Sequence, residues 1–123
     1  MSKSILIVDD SSSLRTVVRM ALTRAGYEVI EAEDGQQGLV QLEKAGKVHL
    51  ILSDVNMPNM DGFTFVSTLK QNPRHKFTPV VMLTTEVEDA KKERGRAAGA
   101  KAWMVKPFNP PQLLDVVAKL ILS

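Results

Sequence analysis

Four short apolar runs in this chain each end in residues suited to phosphate or metal chemistry. Residues 5–8 run into Asp9 and Asp10, and residues 50–53 run into Asp54. Residues 80–83 run into Thr84 and Thr85, and residues 103–105 into Lys106 and Pro107. Gathered at one place, three carboxylates repel one another unless a positive charge sits among them. Mg2+ is the natural guest, a hard cation content with one or two carboxylates, several waters and a phosphate oxygen. Without metal, one of the aspartates should titrate high, because like charges disfavour ionisation. Lys106 is a point charge on a long stem, suited to a phosphoryl oxygen or a carboxylate. Thr84 can donate its hydroxyl to the same group. A positioned carboxylate, a metal, a cation and a hydroxyl suit phosphoryl transfer, where catalysis is mostly positioning and charge stabilisation. Asp54 would be the nucleophile and would carry an aspartyl-phosphate. Any one of these aspartates alone reads more readily as a turn residue or a helix cap. The set argues for a site.

The elements that must position these residues alternate along the chain. Short, β-branched-rich runs bounded by turn residues read as buried strands. Strands are predicted at residues 5–8, 27–32, 48–54, 79–83 and 102–105. Helical spacing falls between them. Ser11, Ser12 and Ser13 can cap a helix carrying Leu14, Val17, Val18, Ala21, Leu22 and Ala25, with Gly26 as its stop. A second helix carries Gly38, Leu39, Leu42 and Ala45, closed by Gly46. A third carries Phe63, Val66, Leu69 and Lys70, and ends near Asn72 and Pro73. The fourth, about residues 87–98, is charged, weakly apolar and interrupted by Gly95, which costs roughly 1 kcal/mol relative to alanine. The fifth opens at Asn109, Pro110 and Pro111 and presents Leu113, Leu114, Val116, Val117, Leu120 and Ile121. Strand and helix alternating five times predict an α/β fold, a parallel sheet with helices on both faces. The strand C-termini then share an edge, where open α/β sheets hold their ligands.

At 123 residues the chain fits a single domain, residues 1–123. It has no cysteine, so neither a disulfide framework nor a thiolate zinc site is available. No apolar run is long enough to span a bilayer, and no signal peptide is read at the N-terminus. A net charge of +2 is too small to argue for nucleic acid. The composition therefore points to a cytoplasmic protein with no nucleic-acid or membrane partner, and a monomer by default.

The ordered set of Asp9 and Asp10, Asp54 followed by Met57, Pro58, Asp61 and Gly62, then Thr84, then Lys106, Pro107 and Phe108, resembles the response-regulator receiver domain of two-component signalling. The resemblance covers essentially the whole chain and implies a flavodoxin-like (βα)5 doubly wound sandwich with strand order 2-1-3-4-5. It implies that Asp54 accepts a phosphoryl group from a sensor histidine kinase. Asp10 and Asp54 would hold Mg2+ through their side chains, Asn56 through its backbone carbonyl, and Asp9 directly or through water. Lys106 and Thr84 would contact phosphoryl oxygens, Thr84 would draw Trp103 inward on phosphorylation, and the Lys106–Pro107 bond would be cis. Output would come from changed affinity for an effector at helix four, strand five and helix five, a flagellar motor switch in the chemotaxis type. The chain would be no enzyme toward other substrates, promoting only its own phosphoryl transfer and dephosphorylation.

Asn56 and Glu86 lie two residues beyond the acceptor and the switch threonine, where the resemblance implies tuning of phosphoryl lifetime; Thr85 is small and leaves the pocket open. Trp103 departs from the commoner tyrosine or phenylalanine. Lys91, Lys92, Arg94, Arg96 and Lys101 make helix four and its exit basic, which reads as a solvated face or as a surface for an acidic partner. A stand-alone phosphorelay receiver, or the receiver of a transcriptional regulator, fits the same motifs. Two rivals come from other classes. A flavodoxin-like cofactor binder could use Ser11, Ser12 and Ser13 as a phosphate loop, but Asp9 and Asp10 would repel an unpaired phosphate. An aspartate-nucleophile phosphohydrolase calls for a second aspartate two residues after the first, where this chain has Asn56.

Overall fold

The structure is a computed structural model that describes residues 2–85 and 89–121, with residues 89–91 described as backbone. Five strands, β1 (Ser4–Val8), β2 (Glu28–Ala32), β3 (Leu50–Asp54), β4 (Val80–Thr84) and β5 (Ala102–Val105), form one parallel sheet in the order β2-β1-β3-β4-β5. They alternate with α1 (Ser12–Arg24), α2 (Gly35–Lys44), α3 (Gly62–Lys70), α4 (Asp89–Ala98) and α5 (Pro110–Leu120). The expected doubly wound α/β arrangement is thus the one observed.

Two apolar layers hold the sheet, and the period-2 alternation of strand side chains assigns residues to each. Ile5, Ile7, Leu50, Leu52, Val81 and Leu83 face the layer shared with Val18 and Leu22 of α1 and Leu113 and Val117 of α5. Leu6, Val8, Ile51, Val80 and Met82 face the opposite layer, with Leu42 of α2 and Phe63, Phe65, Val66 and Leu69 of α3. The three central strands are apolar on both faces because helices cover both, as parallel sheets require. Truncating any of these leucines to alanine should cost about 2–5 kcal/mol.

Helix starts follow local chemistry. The Ser11 hydroxyl accepts from the Leu14 amide at 3.2 Å, and Asp61 caps α3 by accepting from the Thr64 amide at 2.8 Å. Asn109 and Gln112 cap α5 reciprocally, with Pro110 and Pro111 in the first turn. α2 begins at Gly35, earlier than its apolar spacing indicates, because the Asp34 carboxylate accepts from the Gln37 amide at 2.8 Å. The expected start of α4 at Val87 lies outside the described residues.

Candidate functional site

Parallel pairing carries Asp9, Asp54, Thr84 and Lys106 to one edge of the sheet. The β1–β3 register sets Val8 beside Ser53, and the β3–β4 register sets Asp54 beside Leu83. Asp9, Asp10 and Asp54 each present a carboxylate oxygen within 4.8 Å of the others. Their environments differ. Asp9 is fully buried and Asp54 nearly so, while Asp10 is exposed.

Asp9 is held at both oxygens. Oδ1 accepts from the Ser11 amide at 2.8 Å, and Oδ2 accepts from the Lys106 ammonium at 2.7 Å. Lys106 Nζ also lies 3.3 Å from Asp54 Oδ1, which accepts from the Val55 amide at 2.8 Å. One ammonium therefore bridges two buried carboxylates, the balance such charges need. It does not fully neutralise them. Burial first, and the charge of Asp9 second, push the Asp54 carboxyl up to about 6, against the opposing pull of Lys106. Burial alone would lower the Lys106 ammonium, but its bond to Asp9 and the charges of Asp54 and Asp9 outweigh that and raise it. The donor set is all oxygen, anionic and partly open through Asp10. That chemistry fits a hard divalent cation.

The backbone around Asp54 is fixed by contacts that sequence reasoning did not single out. The Gly62 amide donates to the Val55 carbonyl at 2.8 Å, so α3 begins hard against the acceptor loop. A Cβ at Gly62 would stand 2.1 Å from the Asp54 carbonyl oxygen, a backbone atom with no room to yield. Asn59, at φ 67°, donates from Nδ2 to Asp34 Oδ2 at 2.8 Å, tying the loop after β3 to the cap of α2. The bonds from the Gln37 amide and from Asn59 hold the Asp34 carboxyl below its usual range. An aspartate just before a helical run is a cap signal, which the apolar spacing of α2 left unused at Asp34; its long-range partner Asn59 had no sequence signal. Arg15 Nη1 donates to the Asp9 carbonyl, and its Nε to Glu31 Oε1 at 3.2 Å, bracing the turn after β1 from α1.

The candidate switch residues lie on the other layer of the sheet. Thr84 is buried at the end of β4, and its carbonyl accepts from the Lys106 amide at 2.6 Å. Trp103 sits opposite Met82, two residues before Thr84 on the same face, so the two are diagonal neighbours. Its ring packs 6.4 Å from that of Phe63, with planes 27° apart. A Cβ at Gly95 would meet Trp103 Cζ3 at 2.7 Å, so α4 can lie on the indole only because that position is glycine. The indole Nε1 is buried and, among the described residues, has no hydrogen-bond partner. The tryptophan is accordingly already packed under α4 in this conformation. Asn56 and Thr85 are exposed near the site, and Glu86 lies outside the described residues. The Lys106–Pro107 bond is cis. Of the basic residues on α4, Arg94 stacks over the Phe63 ring at 4.5 Å and Arg96 pairs with Glu93 at 2.8 Å. The Lys91 side chain is outside the described residues.

This architecture and site can be set beside known proteins. The chain is similar to the chemotaxis protein CheY1 of Helicobacter pylori, 37% identical over 112 residues that cover 90% of each chain. The structure is similar to that of the chemotaxis protein CheY4 of Vibrio cholerae, with a TM-score of 0.95 and 46% identity over 98% of this chain and 100% of that one. It is also similar to the receiver domain of a sensor histidine kinase from Pseudomonas aeruginosa, solved with a magnesium ion in its active-site cleft, with a TM-score of 0.88 and 26% identity over the full length of both. Residues 5–118 match the family model described as the response regulator receiver domain, and the chain belongs to that family.

Proposed function

We propose that this chain is a single-domain signalling switch of the chemotaxis type, phosphorylated on Asp54 by a sensor histidine kinase. The convergence of Asp9, Asp10, Asp54 and Lys106 at one sheet edge is the observation that supports this reading. A carboxylate oxygen of Asp54 forms the new P–O bond as the P–N bond of the donor phosphohistidine breaks. The imidazole leaves with the electron pair and takes a proton. Asp10 and Asp54 would hold Mg2+, with the Asn56 carbonyl and, directly or through water, Asp9; when bound there it would offset charge on the phosphoryl oxygens. Lys106 is placed to move from Asp54 to a phosphoryl oxygen while keeping Asp9, and Thr84 to turn its hydroxyl toward the same group. Asn56 and Thr85, exposed near the site, border the path of attacking water, and they and Glu86, two residues beyond Thr84 in sequence, tune the lifetime.

Output is a population shift that changes affinity for an effector, not turnover of a separate substrate. The effector face is α4, β5 and α5, coupled to the site through Thr84 and Trp103. Likeness to the chemotaxis proteins supports a flagellar motor component as that effector, and a cytoplasmic monomer as the working form.

The test is intact mass after incubation with Mg2+ and a small phosphodonor. One labile phosphoryl adduct is expected on the wild-type chain and none on Asp54→Asn. Absence of an adduct at every Mg2+ concentration would overturn the reading. Copurification of a flavin would favour a flavodoxin-like binder instead.

A further inference from the structure

We propose that the sheet edge opposite the acidic site is a docking face for an anionic lipid surface. All five strands are parallel, so their N-termini share one edge, a strand length away from Asp54. Cations stand just ahead of the strands there: Lys3 before β1, Lys47 before β3, Arg74 and Lys76 before β4, and Lys101 before β5. Following the strand order, they form a row across the sheet.

The loops that carry these cations are tied together. Arg74 Nη2 donates to the Ala45 and Gly46 carbonyls, both at 3.2 Å, holding the loop after α3 against the loop that bears Lys47. Lys70 Nζ donates to the Lys76 carbonyl at 3.2 Å and to that of Thr78, fixing the base of the same loop. The Lys101 amide donates to the Val80 carbonyl at 2.8 Å. Lys47, Arg74, Lys76 and Lys101 are exposed. Among the described residues none of the five cations pairs with a carboxylate.

Helix dipoles account for Lys44 and Lys70, which sit in the last turns of α2 and α3. They do not account for these five, which lie in loops. Among the described residues, the carboxylates placed near this edge are Glu28, which accepts from the Ser4 hydroxyl at 3.2 Å, and Glu43, whose charge acts on His75. They are outnumbered.

Phe77 selects the partner. It stands at the tip of the loop between Arg74 and β4 and is 81% exposed. A wholly apolar ring beside lysines suits a lipid interface, where the ring enters the headgroup boundary and the ammonium groups meet anionic headgroups. Single-stranded nucleic acid is held by successive stacking rings, and Phe77 is the only exposed aromatic ring among the described residues. Lys76 Nζ lies 5.7 Å from its centroid, so ring and ammonium present together. Docking through this edge turns Asp54 away from the lipid and leaves it open to a phosphodonor. The contact is peripheral: among the described residues no helix is long and apolar enough to cross a membrane. The sequence reading expects no membrane partner, because no apolar run is long enough to span a bilayer; the cations of this face are separated along the chain and the parallel sheet gathers them.

The experiment is cosedimentation with vesicles of phosphatidylcholine, with and without phosphatidylserine, at low and high salt. Wild type should sediment only with the anionic vesicles and be released by salt. Each lysine removed should lower partitioning about fivefold, so Lys47→Gln/Lys76→Gln/Phe77→Ser should release the protein while still forming the adduct on Asp54. Arg19→Gln/Lys92→Gln, which removes the same charge elsewhere, should bind as wild type does. Three results would each overturn the proposal. These are no sedimentation with anionic vesicles at low salt, equal loss in both variants, and tighter binding of a single-stranded oligonucleotide through the same residues.

Discussion

Asp54 is a carboxyl whose protonation and metal binding compete. Its burial and the charge of Asp9 lift it from the ordinary 3.8 to about 6 in the metal-free protein. An acid that binds its proton more tightly folded than unfolded makes the folded state lose stability as pH climbs from about 4 to about 6, with no further change above. Asn at this position keeps the shape and removes the ionisation, and Lys106 retains Asp9 at 2.7 Å. Metal-free Asp54→Asn should therefore melt above the wild type at pH 7.5, and the difference should shrink at pH 4.5. Calorimetry at the two pH values checks this, and a wild type equal to the variant at pH 7.5 would contradict it. Individual residues were the most legible part of the site. Asp9, Asp54, Thr84 and Lys106 each close an apolar run, a local pattern. Asp34 and Asn59 were not found as a pair, because residues 25 apart meet only through the loop after β3.

At the scale of elements, α4 differs from the rest. Its apolar stripe is too thin to be read as an anchored helix, and its attachment is long-range, through Trp103 of β5 and Phe63 of α3. Propensity says that alanine at Gly95 should stabilise the helix by about 1 kcal/mol. Packing says that the new methyl has no room, at 2.7 Å from the indole. We expect packing to win: Gly95→Ala should lower the thermal midpoint in the wild-type background and raise it in Trp103→Ala. A double-mutant cycle measures that change of sign, and additive effects would count against the indole seat. The other helices were legible because their caps are local. Ser11, Asp61 and Asn109 each bond an amide three residues on. The start of α2 was missed because its first turn carries Gly35, Gln36 and Gln37 and no apolar residue.

For the whole molecule, alternation of strand and helix is enough to predict a parallel sheet with helices on both faces. It does not supply the order β2-β1-β3-β4-β5, which came from resemblance, since nothing in five similar apolar runs says which neighbours which. The stability of the whole should nonetheless respond to the site. Three carboxylates converge where one ammonium pairs with two of them, which leaves an excess of negative charge that a divalent cation relieves. Mg2+ at one hundred times its dissociation constant should add about 2.7 kcal/mol if it binds only the folded chain. Thermal unfolding with and without Mg2+ measures this, and Asp10→Asn should remove most of the gain. A midpoint indifferent to Mg2+ would contradict the assignment of the carboxylates.

The close approach of Gly62 to the backbone of Asp54 also has a genetic consequence. In a saturation library scored by signalling output, every substitution at Gly62 should fall among the null alleles beside those at Asp54, though Gly62 touches no phosphate. Suppressors should be scarce, because a displaced carbonyl has no side chain whose replacement would make room. A map of intolerance would then mark as chemical a position whose whole contribution is the absence of one methyl group.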